Sequence, residues 1–549
     1  MCLLHFKTEF HNLDSFLSEI PELPELVEGV VCQAEAGPAE GEMKEVQMDG
    51  HKLLLVREGG ELRALGAHCT HYGAPLIKGA FDGGGTVRCP WHGACFNTET
   101  GDIEDFPGLD SLACHKVEER DGNIVVTADK RELVTGRRHV RIAPDQEMEE
   151  TEDRIVIVGG GAAGQSAAET LRKEGWMGRV TMVTAETVLP YDRPKLSKAM
   201  GVKHEAVALR RPGWYDTARV EVVRGARVVA VDTEARRVSL DTGAQLEYCK
   251  LLVCTGGVPR TLGVPGEQLQ GVATLRTLED ANTIHREASG RHVVVIGTSF
   301  IGMEVAAALV DTAASVTVIG RDKVPFLASL GEEVGRAVMS LHQQKGVQFC
   351  MEEQVAEFTG TERVEAVVLK SDRRLKADLV VVGVGVTPAT NITGLPTDQR
   401  GYVEVNPKMA VSGLQDVWAA GDIVTFPLNT YKDARVNIGH WGLAMYHGKV
   451  AALNMLSIDV NLNTVPFFWT VQFGKSIRYA GHGAGWDSVL VERAEELEAG
   501  LLAVYCRDEE VVAVATLGRD PVAAKFANFV KAGNVLRKED ALEWCKNQI

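Results

Sequence analysis

Cys69-Thr70-His71 and Cys89-Pro90-Trp91-His92 stand with seventeen residues between them, and each offers one thiol and one imidazole. That mixture suits a [2Fe–2S] centre in which two histidines hold one iron and two cysteines the other. A structural Cys2His2 zinc site is the competing reading, although zinc fingers usually keep cysteines in one half and histidines in the other. Gly73 and Gly93 follow the two pairs and would let both loops close tightly. With Cys69, His71, Cys89 and His92 already making four ligands, Cys95 and Cys114 read as ordinary buried thiols.

Two glycine-rich turns further along have the form that binds dinucleotides. The apolar strand Ile155–Val158 runs into Gly159-Gly160-Gly161-Ala162-Ala163-Gly164. Gly159 permits a tight turn, Gly161 lets a pyrophosphate approach the backbone, and Gly164 lets helix and strand pack closely. Glu186, closing the next strand (Val180–Val183), can accept from a ribose hydroxyl. The second unit, Val293–Ile296 followed by Gly297-Thr298-Ser299-Phe300-Ile301-Gly302, has Ser299 for its middle glycine. Its second strand, Val316–Ile319, ends in Gly320-Arg321 where an acid would be expected. An acid favours NADH and an arginine can accommodate the 2′-phosphate of NADPH, so the reading leans to NADPH. Arg321 reads equally well as a solvated surface residue.

These turns need elements to hold them. Residues 27–130 read as a small all-β domain of short strands such as Lys52–Val56 and Asn123–Thr127, broken by turns like Asp82–Gly85. A charged stretch with Pro144 makes 131–152 a linker. Two Rossmann-like α/β domains follow: one split between 153–282 and 391–460, the other at 283–390. Residues 461–549, with strands near Val489 and at Val511–Thr516, suggest a C-terminal α+β domain. The balance of 58 basic against 75 acidic residues leaves −17, which argues against nucleic acid or an anionic membrane as a partner. No apolar run approaches the length of a membrane span, so no integral membrane segment is expected. The first twenty residues, with Glu9, Asp14 and Glu19, suit neither a secretory signal nor a transit peptide. Eleven cysteines without a disulfide-framework spacing fit a reducing, intracellular compartment.

The two Cys/His loops resemble the Rieske family over about a hundred residues. Ala74 and Trp91 stand where respiratory members add cysteines, which is similar to the ferredoxin-like members of lower potential. The two glycine turns, with Ala419-Ala420-Gly421-Asp422, resemble the glutathione-reductase-like flavoproteins that carry two dinucleotide domains. That resemblance implies FAD on the first unit, NAD(P)H on the second, and Asp422 at the flavin ribityl chain. Thr255–Arg260 and Gly383–Pro388, including Gly385, match the family's linking segments, and Arg276 and Val228 are implied to line the FAD site. Disulfide reductases of this kind carry a cysteine pair after the first turn, but no cysteine lies between Cys114 and Cys249.

Leu189–Lys198 is instead similar to oxygenase-coupled ferredoxin reductases and to the apoptosis-inducing-factor family. The resemblance implies that Arg193 and Lys198 face the flavin, that Glu304 pairs with Lys198 near N5, and that Trp469 lies against the ring system. A cation held there can stabilise the negative charge of a reduced flavin. Solvated charges and an aromatic filler are the plainer readings of the same residues. The domain order resembles a Rieske-bearing branch of that family, which implies an association with mitochondria and apoptosis.

The expected protein is an electron-transfer enzyme, cytoplasmic or mitochondrion-associated. It would pass electrons from NAD(P)H through FAD to its own [2Fe–2S] cluster and on to an unknown protein or small-molecule acceptor. A rival from another class is a redox-sensing or death-signalling flavoprotein in which nucleotide binding switches partner interactions. A third is an oxygenase reductase with its ferredoxin fused in cis. A homodimer is compatible with each.

Overall fold

The computed structural model describes residues 25–81, 83–138, 153–493 and 500–548. The readings made on residues 1–20, on 139–152 of the linker and on Asp82 lie outside the described residues. In the N-terminal β domain six strands form an antiparallel sheet, in the order Leu26–Gln33, Asn123–Asp129, Cys114–Arg120, Glu61–Gly66, His51–Glu58, Met43–Met48. Alternate residues of the run Leu53–Val56 serve two cores. Leu53 and Leu55 pack with Val46, Ile124 and Val126, while Leu54 and Val56 pack with Leu76, Val87 and Phe96. A second, four-stranded sheet (Ala80–Phe81, Thr86–Arg88, Cys95–Asn97, Ile103–Asp105) holds the loop from Cys89 to Ala94 at the tip of its central hairpin.

The expected linker begins with structure. Lys130–Thr135 is a helix whose first turn is capped by Asp129, accepting from the Arg131 N–H at 2.8 Å, and which Gly136 closes at φ 65°. The capping aspartate and terminal glycine were there to be read; the density of charge masked them.

Each dinucleotide unit builds a five-stranded parallel sheet. The first runs Val220–Arg224, Arg179–Thr184, Arg154–Val158, Lys250–Val253, Val417–Ala419. The second runs Val272–Thr274, Leu379–Val382, His292–Ile296, Ser315–Ile319, Gln348–Cys350. Val417–Ala419 returns from beyond the second unit to complete the first sheet, and so delivers Asp422 to its C-terminal end, where ligands bind such sheets. The segments expected to link the units do meet: Gly257–Pro259 pairs antiparallel with Val386–Pro388.

The two turns are built alike. A Cβ on Gly164 would lie 2.0 Å from the Gly159 carbonyl, and one on Gly302 would lie 2.1 Å from that of Gly297. Both glycines therefore let helix and strand touch. Gly161 (φ −94°) and Ser299 (φ −101°) share an extended backbone that any residue adopts, so serine sits there without strain.

The C-terminal domain is a five-stranded antiparallel sheet, in the order Phe467–Gln472, Lys475–Gly481, Glu510–Leu517, Leu501–Arg507, Ser488–Arg493, with the helices Val522–Lys531 and Ala541–Lys546 in its core. Among the described residues no helix is long and apolar enough to cross a membrane.

The helix Trp441–Met455 packs on the first dinucleotide helix, Ala162–Lys173, and buries His447 completely. Its Nδ1 accepts from the Gly421 N–H at 3.3 Å, while Nε2 has no partner. Burial pushes the ring down to about 3, so the folded state stays neutral where the unfolded chain takes up a proton. The resulting stability is whole above the ordinary histidine range and is lost as pH falls from 6.5 toward 3. Urea midpoints at neutral and mildly acidic pH should show a loss of about 1.4 kcal/mol per pH unit from this group, reduced in His447→Gln.

Candidate functional site

The four Cys/His residues come together in pairs. The Cys69 and Cys89 thiols are hydrogen-bonded to each other, and the His71 and His92 rings lie 5.0 Å apart, edge to face. Gly73 (φ 74°) and Gly93 (φ 75°) take the left-handed turns that close the loops. Burial, then Lys195 and Arg137, pushes His71 down to about 3; burial, then His71, pushes His92 well below its usual value. Neutral imidazoles are competent metal donors, and His71 Nδ1 is buried with no hydrogen-bond partner. The bond to Cys89, then burial, holds Cys69 well above the ordinary thiol range, where a metal would displace its proton. Among the described residues no three His, Cys, Asp or Glu converge on one ion position. Two thiols facing each other and two imidazoles facing each other fit a two-iron cluster better than a single zinc ion.

Beside them a cavity of about 970 Å³ runs between the two dinucleotide units and the C-terminal hairpin. Gly159, Gly161, Glu186, Arg193, Lys198, Val228, Arg276, Ser299, Glu304, Gly385, Asp422 and Trp469 all line it. A Cβ on Gly161 would meet nothing within 4 Å, so this turn faces open space sized for a ligand. Arg276 approaches Asp422 at 3.9 Å across it. The cavity fits an extended dinucleotide. Gly164, Gly297 and Gly302 act behind its wall, through the helix–strand contacts described above.

Arg321 does not line the cavity. Its side chain is 80% exposed and approaches Asp322 at 3.9 Å, which agrees with the solvated reading. Glu186 and Arg193, expected to serve separate ends of FAD, are ion-paired to each other, and Tyr191 donates to Glu186 at 2.5 Å.

Lys198 and Glu304 form the expected pair, Nζ to Oε2 at 2.7 Å, with Glu304 buried. Ser197 also donates to Oε2, and Thr470 donates to Oε1 at 2.7 Å. Three donors thus fix one carboxylate. Ser197 and Thr470 escaped the sequence reading, as did Phe300 and His440, which line the cavity as well. The phase of the strand Phe467–Gln472 could have found Thr470, since period two sends alternate residues to opposite faces. Phe468 and Thr470 turn to the helix Phe300–Leu309: Phe468 lies 4.9 Å from Phe300, and Thr470 bonds Glu304.

Phe467 and Trp469 face the β domain. A Cβ on Gly93 would lie 2.5 Å from the Phe467 ring, and the Trp469 ring lies 4.4 Å from His92 and 5.8 Å from His71. Arg478, opposite Trp469 in the hairpin, donates to the Trp91 carbonyl at 3.1 Å. Trp469 therefore touches the cavity on one side and both histidines on the other. The β domain is seated firmly. Arg88, wholly buried, donates to Asp105 (2.7 Å), to the Gly93 carbonyl (2.9 Å) and to Asn528 of the C-terminal domain (2.7 Å).

Known proteins share these parts. Residues 153–448 match the pyridine nucleotide-disulphide oxidoreductase family, 28–116 the Rieske [2Fe-2S] domain, and 467–543 the reductase C-terminal domain. Apoptosis-inducing factor 3 of Homo sapiens is 44% identical over 98% of this chain and 89% of its own length. The ferredoxin–NAD(+) reductase component of the anthranilate 1,2-dioxygenase system of Burkholderia cepacia is 35% identical over 68% of this chain and 93% of its own. Among solved structures, that of the covalent putidaredoxin reductase–putidaredoxin complex superposes with a TM-score of 0.66 at 30% identity, covering 70% of this chain and 94% of the other. The chain is an oxidoreductase that uses FAD, a Rieske cluster and NAD(P)H. It belongs to the pyridine nucleotide-disulphide oxidoreductase family, in the Rieske-bearing branch to which apoptosis-inducing factor 3 belongs.

Proposed function

We propose that this protein takes electrons from NADH or NADPH and passes them, through FAD and its own Rieske centre, to a separate one-electron acceptor. One observation carries the reading: the Trp469 ring lines the dinucleotide cavity and lies 4.4 Å from His92. Bound FAD supplies the exchange between two-electron and one-electron chemistry, and the Rieske centre a one-electron store. Cys69, Cys89, His71 and His92 would hold the irons. Gly159, Gly161, Glu186, Arg193, Val228, Arg276 and Asp422 would hold FAD, while Ser299 and Gly385 would receive the nicotinamide nucleotide on the turn shaped by Gly297 and Gly302. Glu304 holds the Lys198 ammonium at the cavity wall, which Phe467, Phe468 and Trp469 also line. With Arg321 in solvent, nothing in the strand-end geometry selects for a 2′-phosphate, so NADH should serve at least as well as NADPH.

The apoptotic reading rests on the relatives' name alone; electron transfer is what the site supports. Anaerobic titration with NADH should bleach the flavin and then raise the EPR signal of a reduced Rieske centre. In His92→Ala the flavin should bleach while the EPR signal and the reduction of one-electron acceptors are lost. Wild-type turnover near background, with nucleotide-dependent changes in assembly, would favour the signalling switch.

The two glycine roles separate in a simpler test. Gly161→Ala has room to fold but places a methyl where the pyrophosphate should lie, so it should melt normally and carry little flavin. Gly164→Ala drives its methyl against the Gly159 carbonyl and should lower the melting midpoint itself. Flavin-to-protein ratios and thermal scans check both.

A further inference from the structure

We propose that electrons leave this protein across the exposed ring of Tyr72, to a redox protein whose one-electron group is rimmed by carboxylates; the proposal rests on the electron route given above. His92 is buried and faces Trp469 on the cavity side. His71 carries Tyr72 stacked on it, ring centroids 3.7 Å apart and planes at 20°. Tyr72 is 41% exposed, so another molecule can touch a ring that itself touches His71. Among the described residues the exposed large apolar side chains include two aromatics, Tyr72 and Trp91, and both stand on the cluster loops. Aromatic rings left in solvent beside a functional site mark a contact surface.

The charges around Tyr72 select the partner. Its hydroxyl donates to Asp192 at 2.7 Å, which fixes the ring, and Lys195 Nζ stands 5.4 Å from the ring centroid. Lys195 is 34% exposed, whereas Asp192, 3.8 Å from it, is 11% exposed. Arg137, bonded to the Thr70 carbonyl at 2.7 Å, repeats the layering: it is 48% exposed over Asp110 at 22%. In both pairs the carboxylate lies beneath and the cation outside. Among the described residues the outer charges of this face are therefore cations, on a chain of net charge −17. An acidic rim would be drawn here and repelled elsewhere, which orients the encounter. In the transfer the acceptor is reduced by one electron and the iron–sulfur centre oxidised by one; no bond forms or breaks and no proton moves.

The test starts from holoprotein reduced with dithionite, so that it runs whether or not NADH reduces the cluster. The reduced-cluster EPR signal is followed on mixing with ferricyanide, an anionic oxidant, or hexaammineruthenium(III), a cationic one. In Lys195→Glu at low ionic strength the ferricyanide rate should fall and the hexaammineruthenium(III) rate should rise, each on the order of fivefold. Opposite signs cannot come from a folding defect. Two further readouts need no turnover. Anionic chromium(III) oxalate should enhance relaxation of the reduced cluster less in the variant than in wild type. Amide exchange in residues 106–110, which pack against Trp441, Gly442 and Arg210, should stay slow after reduction. Equal or absent effects on the two oxidants would place the exit elsewhere. Loss of protection at 106–110 on reduction would mean that the domain undocks and opens the histidine edge itself. A cluster that dithionite reduces and NADH does not would defeat the electron route while leaving the exit to be decided by the oxidants.

Discussion

Arg88→Met should destabilise the protein by about 3–5 kcal/mol, the range for removing one partner from a buried ion pair. The guanidinium is wholly enclosed, and its three bonds reach Asp105, the Gly93 carbonyl and Asn528. Burial opposes its charge, but the carboxylates of Asp105 and Glu104 outweigh that and hold it protonated. Methionine would fill the space and leave Asp105 with Thr464 at 2.9 Å and Lys531 at 3.4 Å, while the carbonyls of Gly93 and Asn528 lose their donor. Arg88→Lys should not rescue it, because one ammonium cannot reproduce the planar fork. Since Asn528 belongs to the C-terminal domain, an Arg88/Asn528 double-mutant cycle in urea should show coupling above about 1 kcal/mol. Coupling near zero would mean that the arginine serves the β domain alone. Burial would raise Asp105, but Lys531 and Arg88 hold it down at about 2. Its contribution is therefore present above the usual carboxylate range and lost as pH falls toward 2.

Arg88 also marks where the sequence stops being informative. The cluster loops and both glycine turns were legible because their chemistry depends on spacing within one short segment: Cys69 to His71, Cys89 to His92, Gly159 to Gly164. The pairing of Lys198 with Glu304 crosses more than a hundred positions, and a resemblance was needed to expect it. Arg88 and Asn528 are 440 positions apart, and nothing local in either segment announces the other. The same holds for Tyr72 and Asp192, and for Trp469 against His92. The arginine after the second strand could be read two ways because residue type alone does not separate phosphate recognition from solvation; its side chain stands in solvent. Alternation in Phe467–Gln472 was readable, but which face met which domain depended on how the β domain sits on the reductase.

Lys198→Met should slow NADH-driven bleaching of FAD by roughly ten- to a thousandfold, the range for losing one preorganised charge at a reacting centre. The same change leaves the Glu304 carboxylate buried with only the Ser197 and Thr470 hydroxyls, so stability should fall as well. A slow enzyme could then be dismissed as a damaged one, and the carboxylate supplies the control. Glu304→Gln keeps the shape and can still bond Ser197 and Thr470, but it removes the charge that orients the ammonium; bleaching should slow less than in Lys198→Met. In Lys198→Met/Glu304→Gln the buried charge is gone, so the urea midpoint should recover most of the loss while the bleaching rate stays at the level of Lys198→Met. Recovery of both together would show that Lys198 matters only as a counter-ion. A midpoint restored without the rate assigns to the ammonium itself the stabilisation of charge at the flavin edge.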